Sequence, residues 1–121
     1  MTWDQKYLRQ CRFLLEEHEH ILAWAALTPF SNREVYRGVA EISIYVAPSA
    51  SGRGVGFTLL SHLVNCADAS GFWTLQAAIF RQNEASIRLH KKAGFRIVGI
   101  RERIAQRDGI WHDNVLMERR R

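Results

Sequence analysis

The residues with the clearest chemical potential are three glycines directly ahead of a predicted helix. Gly52, Gly54 and Gly56 follow a short polar segment, and from Val55 apolar residues recur at helical spacing up to Gly71. Glycines let the backbone approach a ligand closely, and the first turn of a helix offers free N–H groups at the positive end of its dipole. The pattern therefore predicts a site for a phosphate-bearing ligand. A tight connection without a ligand is the alternative.

The spacing of the three glycines excludes two common nucleotide motifs. The third glycine of this G-x-G-x-G run comes one residue too early for a dinucleotide fingerprint. No Lys-Ser or Lys-Thr pair follows it, as a P-loop would require. We therefore expect a ligand other than NAD or ATP.

Glu41 is the second candidate for chemistry, because it stands within an apolar strand. Residues 39–46 alternate strictly, which places Glu41, Ser43 and Tyr45 on the face opposite the apolar even-numbered residues. Burial there would favour the protonated carboxyl group and suit it to exchange protons. A strand glutamate that faces solvent or pairs with an arginine is the alternative.

The framework that must position these residues is a mixed sheet with a few helices. The predicted elements are helix 2–10, strands 12–17, 21–27 and 39–46, helix 54–70, strand 72–80, helix 84–93, and strands 95–105 and 110–117. Strand 39–46, helix 54–70 and strand 72–80 form a βαβ unit with parallel strands. Asp108-Gly109 between alternating runs predicts a hairpin turn. The fold class is α/β (α+β), with the order α-β-β-β-α-β-α-β-β.

Length and composition favour one globular domain over residues 1–121. The chain is 47% hydrophobic and 24% charged, and no apolar run approaches the length of a membrane span. Asp4, Lys6 and Arg9 stand where a signal peptide needs apolar residues, so we expect a cytoplasmic location. The net charge of +5 suits an anionic ligand or nucleic acid. Basic and aromatic residues are not interleaved on one element, which argues against nucleic acid.

Neither the cysteines nor the paired histidines suggest a metal site. Cys11 and Cys66 have no CxxC or histidine spacing beside them and are predicted to be separate thiols, not a disulfide. His18 and His20 are expected in a solvent-facing turn, because the sequence offers no further ligands close by. We expect no metal.

Two motifs about thirty residues apart make the chain resemble the GNAT superfamily of acyl-CoA N-acyltransferases. The first is S-G-R-G-V-G at 51–56, and the second is N-E-A-S-I-R-L-H-K-K-A-G-F at 83–95. V-A-E-I-S-I-Y-V at 39–46, the Leu89-His90 pair and G-I-W-H-D at 109–113 are similar to the phosphinothricin acetyltransferase branch. The resemblance covers nearly the whole chain from about Trp3.

The resemblance implies acetyl-CoA as cosubstrate and a small amino-acid-like amine as acceptor, of the phosphinothricin or methionine sulfoximine type. The glycine loop would hold the pyrophosphate, and the strand before it would hold the pantetheine arm through backbone groups. The residues implied in binding are Ile44, Tyr45, Val46, Ser51, Gly52, Arg53, Gly54, Val55, Gly56, Asn83, Ser86, His90 and Lys92. Asn83 is also the predicted N-cap of its helix.

Three residues receive catalytic roles from the resemblance. Glu41 would be the general base that takes a proton from the acceptor, directly or through water, before the amine attacks the thioester. His90 holds the position of a tyrosine that protonates the leaving thiolate in many members, and local packing or capping is the alternative. His112 matches a histidine near the acceptor amine. Asp113 is expected to point to the opposite face of the strand and so not to orient His112.

The chain departs from the family pattern in two places. Ser51 stands where the loop usually begins with Gln or Arg, a mild change if backbone N–H groups bind the pyrophosphate. The strand and helix that usually come first are missing, which leaves open a natural short form, a fragment, or a domain completed by a partner chain. We expect a homodimer that covers the extra apolar surface. A catalytically weak acyl-CoA-binding module for regulation or assembly is the alternative function.

Overall fold

The computed structural model describes residues 11–121, and a six-stranded mixed sheet forms the centre of this part of the chain. The strands are β1 Arg12–Glu17, β2 His20–Pro29, β3 Val39–Val46, β4 Thr74–Phe80, β5 Arg96–Arg107 and β6 Ile110–Arg120, and the helices are α1 Val55–Ala69 and α2 Glu84–Lys92. The strand order is β1-β2-β3-β4-β6-β5, with β3 and β4 parallel and all other neighbours antiparallel. The predicted helix 2–10 lies outside the described residues.

The predicted βαβ unit is confirmed at the centre of the sheet. β3 begins and ends at the predicted residues, and Pro48 opens a short 3₁₀ turn, Pro48–Ala50, directly after it. α1 ends ahead of Gly71, which has a φ of 90° as expected for a residue that follows a helix C-terminus. A second 3₁₀ turn, Glu34–Tyr36, lies in the polar loop between β2 and β3.

The two C-terminal strands form a longer hairpin than the alternation predicted. Asp108 and Gly109 have φ values of 53° and 76° and make the predicted tight turn. β6 extends to Arg120 because it lies between β4 and β5 and pairs with both, so backbone partners are available on each side. β5 is irregular between Arg101 and Ala105, where the register shifts.

The core lies between the sheet and α1. Leu59, Leu60, Leu63 and Ala67 recur on one face of the helix and are buried against strands β1, β2 and β3. α2 packs beside α1 on the same face of the sheet. Within residues 11–121, neither helix has the length and apolar character that a membrane span would need.

The prediction of separate thiols is wrong, because Cys11 and Cys66 form a disulfide. Cys11 directly precedes β1 and Cys66 lies near the end of α1, 55 residues further along the chain. α1 packs across β1, which brings the two Cα atoms to 5.6 Å, within the range that a disulfide spans. The bond ties the first edge of the sheet to the helix that follows the glycine loop.

Candidate active site

The parallel strands β3 and β4 separate after a short region of pairing. Val39, Ala40 and Glu41 pair with residues 74–76, and the two strands share no ladder beyond Glu41 and Gln76. β3 stays paired with β2 up to Val46, whereas β4 stays paired with β6 up to Phe80. The side of β3 that faces β4 therefore presents backbone N–H and C=O groups between residues 42 and 46.

A cavity of about 510 Å³ lies on the helix side of this separation. Its walls come from the end of β3, the glycine loop, the first turn of α1 and one face of α2. The lining residues are Ile44, Val46, Pro48, Ala50, Ser51, Gly52, Gly54, Val55, Gly56, Phe57, Asn83, Ala85, Ser86, Arg88, Leu89 and Lys92. We call it the loop cavity. It contains ten of the thirteen residues that the sequence implied in cofactor binding.

The loop needs glycine at these positions for two different structural reasons. Gly52 and Gly54 have φ values of 80° and 76°, so the backbone conformation requires glycine there although a Cβ would meet nothing within 4 Å. Gly56 has ordinary φ, but a Cβ would lie 3.2 Å from side-chain atoms of both Leu89 and Val46. Gly56 therefore lets α1 pack closely against β3 and α2, which closes the floor of the loop cavity.

The electrostatics of the loop cavity favour an anion. Among the described residues, no Asp or Glu lines it, whereas Arg88 and Lys92 do. The N-terminal turns of α1 and α2 both line it, and no side chain caps α1 at Gly54. Lys92 Nζ is held 4.4 Å from the centre of the Phe57 ring, a cation–π contact within the wall. The cavity can therefore bind phosphate groups through backbone N–H donors and two cations.

Asn83 has the capping role that was predicted. Its Oδ1 accepts a hydrogen bond of 3.2 Å from the N–H of Ser86, at the start of α2. Both residues line the loop cavity. The cap therefore also fixes the position of the α2 N-terminus at the cavity wall.

Two residues implied in cofactor binding point their side chains away from the loop cavity. Tyr45 lies on the opposite face of β3 and stacks on Trp24, with ring centres 6.3 Å apart. The guanidinium of Arg53 forms an ion pair with Glu17, at 3.3 Å between Nη2 and Oε2. The strict alternation of β3 already indicated that the Tyr45 side chain lies on the face away from the loop cavity. The partner of Arg53 comes from β1, so the local sequence around Arg53 could not predict it.

The cavity also contains residues that the sequence interpretation missed. They are Pro48, Ala50, Phe57, Ala85, Arg88 and Leu89. Ala85, Leu89 and Lys92 recur every three or four residues, so they lie on one face of α2. This periodicity, counted back from the predicted contact Lys92, leads to Leu89, Arg88 and Ala85 and was the signal that could have identified them.

His90 is a core residue and not part of either cavity wall. Its side chain is 1% exposed, its Nδ1–H donates a 2.8 Å hydrogen bond to the Ser86 carbonyl, and its ring meets Phe95 edge-on. Burial lowers the pKa of His90, and the hydrogen bond to Ser86 opposes this in part. The position agrees with the packing alternative, since the imidazole lies in the core and does not line the loop cavity.

Glu41 lies on the other face of the sheet, where it lines a second cavity of about 340 Å³. The Glu41 side chain is exposed, as in the solvent-facing alternative, and is not desolvated among apolar residues. Both helices of residues 11–121 pack on the opposite face, so within this range no helix covers this side of β3. The second cavity is lined by Phe30, Glu41, Gln76, Ala77, Ala78, Val98, Arg101, Leu116, Met117 and Glu118. We call it the carboxylate cavity.

His112 lies near the end of β4, outside the lining of both cavities. Its Nδ1 is hydrogen-bonded to the Gln82 side chain, and its ring stacks on Phe80 with centres 5.1 Å apart. Asp113 instead accepts hydrogen bonds from the Arg103 backbone N–H, at 2.9 Å, and the Arg81 guanidinium, at 3.1 Å. The prediction that Asp113 does not orient His112 is confirmed.

The strong hydrogen bonds of Asp113 affect its ionisation. The Arg103 N–H lowers the pKa of this carboxyl group below its usual value; desolvation opposes this in part, and the Arg81 side chain lowers the pKa further. Asp113 is therefore an anion that holds the irregular part of β5 to β6. Its role is structural.

The separated parallel strands, the glycine loop and the helix-side cavity define an acyl-CoA N-acyltransferase type of fold. Residues 2–116 match the family model of the acetyltransferase (GNAT) domain, and the chain belongs to this family. The phosphinothricin N-acetyltransferase of Streptomyces coelicolor is 36% identical over 103 residues, which are 85% of this chain and 60% of that protein. An L-methionine sulfoximine/L-methionine sulfone acetyltransferase of Pseudomonas aeruginosa is 37% identical over 98 residues, 81% of this chain and 57% of that protein.

Solved structures confirm the predicted fold class. A GNAT superfamily phosphinothricin acetyltransferase from Sinorhizobium meliloti, solved in complex with acetyl-CoA, superposes with a TM-score of 0.81 and 37% identity. The match covers 88% of this chain and 57% of that one. The chain spans about three fifths of the length of these curated relatives.

Proposed function

We propose that this chain, as a single domain, transfers acetyl from acetyl-CoA to the amino group of a small amino-acid-like acceptor. The expected acceptors are of the phosphinothricin or methionine sulfoximine type, on which relatives with those names act. One observation carries the proposal. An anion-binding cavity and a cavity with an exposed carboxylate border the same separation of β3 and β4 from opposite faces of the sheet.

The loop cavity fits the charged part of acetyl-CoA. The backbone N–H groups at Gly52–Gly56 and the first turn of α1 would hold the pyrophosphate, with Arg88 and Lys92 as cations beside them. The free backbone edge of β3 near Ile44 and Val46 would bind the pantetheine arm. A solved relative from Sinorhizobium meliloti binds acetyl-CoA, which supports this use of the cavity.

The proposed reaction is direct transfer between the two cavities. Glu41 removes a proton from the acceptor ammonium, directly or through water. The amine nitrogen then forms a bond to the acetyl carbonyl carbon, the carbon–sulfur bond breaks, and the leaving thiolate takes up the second proton that the nitrogen releases as it becomes an amide nitrogen. A β3 backbone N–H in the strand separation polarises the carbonyl. His112, fixed by Gln82 and Phe80, is proposed to position the end of β4 beside the acceptor.

Thiol release from acetyl-CoA tests the proposed function. Methionine sulfoximine and phosphinothricin are added separately to the chain, and thiol formation is compared with the rate without an acceptor. The proposal expects a rate that saturates with at least one of them. In parallel, CoA should raise the thermal unfolding midpoint, because it binds only the folded chain. If CoA stabilises the chain but neither acceptor gives thiol release from acetyl-CoA, the enzymatic proposal is contradicted and the acyl-CoA-binding module is favoured.

We also propose that two copies associate through the hairpin β5–β6. β5 is an edge strand of the described sheet, and the hairpin exposes Ile97, Ile100, Ile104, Ile110 and Trp111. Apolar side chains on an open edge favour association with another chain. Light scattering should give the mass of a dimer, and Ile104→Glu should give a monomer. A monomeric wild-type chain would contradict this part of the proposal.

A further inference from the structure

We infer that Arg101 binds the carboxylate of the acceptor and so restricts the acceptor to free α-amino acids. The inference rests on the proposed function and assigns a second contact within the same acceptor site. Glu41 from β3 and Arg101 from β5 line the same cavity of about 340 Å³. That volume lies at the lower end of the range for ligand pockets, which suits a small acceptor.

In the described part of the chain, one anion and one cation of the carboxylate cavity are not in ion pairs. Glu118 also lines it, but Arg96 and Arg120 form ion pairs with this carboxylate. Within residues 11–121, neither Glu41 nor Arg101 takes part in an ion pair, and they do not pair with each other. A separated carboxylate and guanidinium that share one cavity are complementary to the ammonium and carboxylate of an amino-acid zwitterion.

The position of Arg101 follows from the order of the strands. β6 lies between β4 and β5, so a β5 side chain reaches the cavity only across β6. The register of β5 shifts directly after Arg101, and such irregularities re-aim side chains and often adjoin active sites. Arg101 pairs in register with Asn114, which also pairs with Phe80 at the end of β4. The guanidinium is therefore carried on a paired strand and not on a loop.

The remaining wall of the cavity is mainly apolar. Phe30, Val98 and Leu116 line it together with alanines of β4. An acceptor held at both its charged ends would place its side chain against this wall. The reacting nitrogen would then lie on the Glu41 side, because Arg101 holds the carboxylate at a fixed distance from it.

The test compares two acceptors in two matched arginine variants. L-methionine sulfone and its α-carboxamide differ only at the carboxylate. Arg101→Gln should lower kcat/KM for the free acid by roughly 10- to 100-fold, the range for hydrogen bonds to charged groups, and leave kcat/KM for the carboxamide unchanged. Arg101→Lys should restore part of the loss. Arg107→Gln, on the same strand but outside the cavity lining, should change neither value, and KM for acetyl-CoA should stay constant in all variants.

Equal losses for both acceptors in Arg101→Gln would overturn the inference, since they would show only a structural role. Binding of methionine sulfone to the CoA-loaded chain, measured by calorimetry, separates this inference from the proposed function. If methionine sulfone binds in an Arg101-dependent way but is not acetylated, the inference is supported and the proposed enzymatic activity is contradicted. If kcat/KM for the free acid is the same in the wild-type chain and in Arg101→Gln, the proposed enzymatic activity is supported and the inference is contradicted. A chain that neither binds nor acetylates the amino acid contradicts both.

Discussion

The loop cavity and the carboxylate cavity are built on opposite principles. The loop cavity offers mainly backbone groups, and all of its described lining residues come from two continuous segments, 44–57 and 83–92. The carboxylate cavity uses side chains from β3, β4, β5 and β6 and from Phe30 directly after β2, which the sheet brings together. Backbone recognition tolerates substitution except at glycines, whereas side-chain recognition changes with single residues. The difference explains how one fold can keep its cosubstrate and change its acceptor.

The largest expected effect is the loss of turnover in Glu41→Gln, a change that should leave CoA binding in the loop cavity intact. Glu41→Gln removes the proposed base while keeping the size of the side chain, so kcat should fall by roughly 10²- to 10⁴-fold. The CoA dissociation constant should stay the same, because Glu41 does not line the loop cavity. Glu102→Gln, on β5 and outside both cavity linings, is the control. A Glu41→Gln variant with wild-type kcat would show that another group takes the proton.

The disulfide should stabilise the scaffold that carries both cavities. With a sequence separation of 55 between Cys11 and Cys66, the chain-entropy description gives about 4 kcal/mol of stability from the crosslink. A reductant should therefore lower the thermal midpoint of the wild-type chain, but not that of the Cys11→Ser/Cys66→Ser double variant. Two titratable thiols in the non-reduced, denatured protein would show that the bond does not form.

A substitution in the glycine loop should weaken only the cosubstrate side. Gly54→Val forces a β-branched residue into a φ of 76°, which costs about 1–3 kcal/mol in backbone strain and disturbs the first turn of α1. CoA affinity should fall roughly 10-fold, the equivalent of about 1.4 kcal/mol. Gly71→Val, at the other end of α1 with a φ of 90°, should carry a similar stability loss and keep CoA affinity. Equal CoA affinity in the two variants would contradict the assignment of the loop.

The smallest effect concerns the pH dependence of stability through His90. Burial lowers the pKa of His90 in the folded chain below its ordinary value of 6.5, so the unfolded chain binds this proton more readily. The contribution of His90 to stability is therefore fully present above pH 6.5 and is lost as the pH falls through and below that value. The unfolding free energy should drop between pH 7.5 and pH 5.5, and less so in His90→Gln. An identical drop in the wild-type chain and in His90→Gln would show that a group other than His90 causes the pH dependence.

The difference between features formed by continuous segments and features formed by distant segments also determines how much could be predicted from the sequence. The glycine run, the alternation of residues 39–46 and the Asp108-Gly109 turn are local patterns, and each gave the correct element. The Cys11–Cys66 bond and the pairing of Arg53 with Glu17 join distant segments, and neither leaves a local signal. Arg101 could not be placed in the carboxylate cavity, because its position depends on β6 lying between β4 and β5.

His90 shows a limit of a different kind. A motif position identifies a residue of α2 but not the face of the helix that the side chain occupies. Ser86 and Leu89 line the loop cavity, whereas His90 turns into the core against Phe95. The local apolar pattern of α2 is too short to decide between these faces. Only the packing of α2 beside α1 settles the orientation.

The separation of the two binding sites can be measured directly by NMR on the isotope-labelled chain. CoA is added first, and L-methionine sulfone is added to the CoA-loaded protein. We expect CoA to shift the backbone amides of Gly52, Gly54, Gly56 and Ser86, and methionine sulfone to shift those of Gln76, Arg101 and Glu118 on the opposite face. If CoA instead shifts the amides around Arg101 and leaves the glycine loop unchanged, the two-sided arrangement of the active site is wrong.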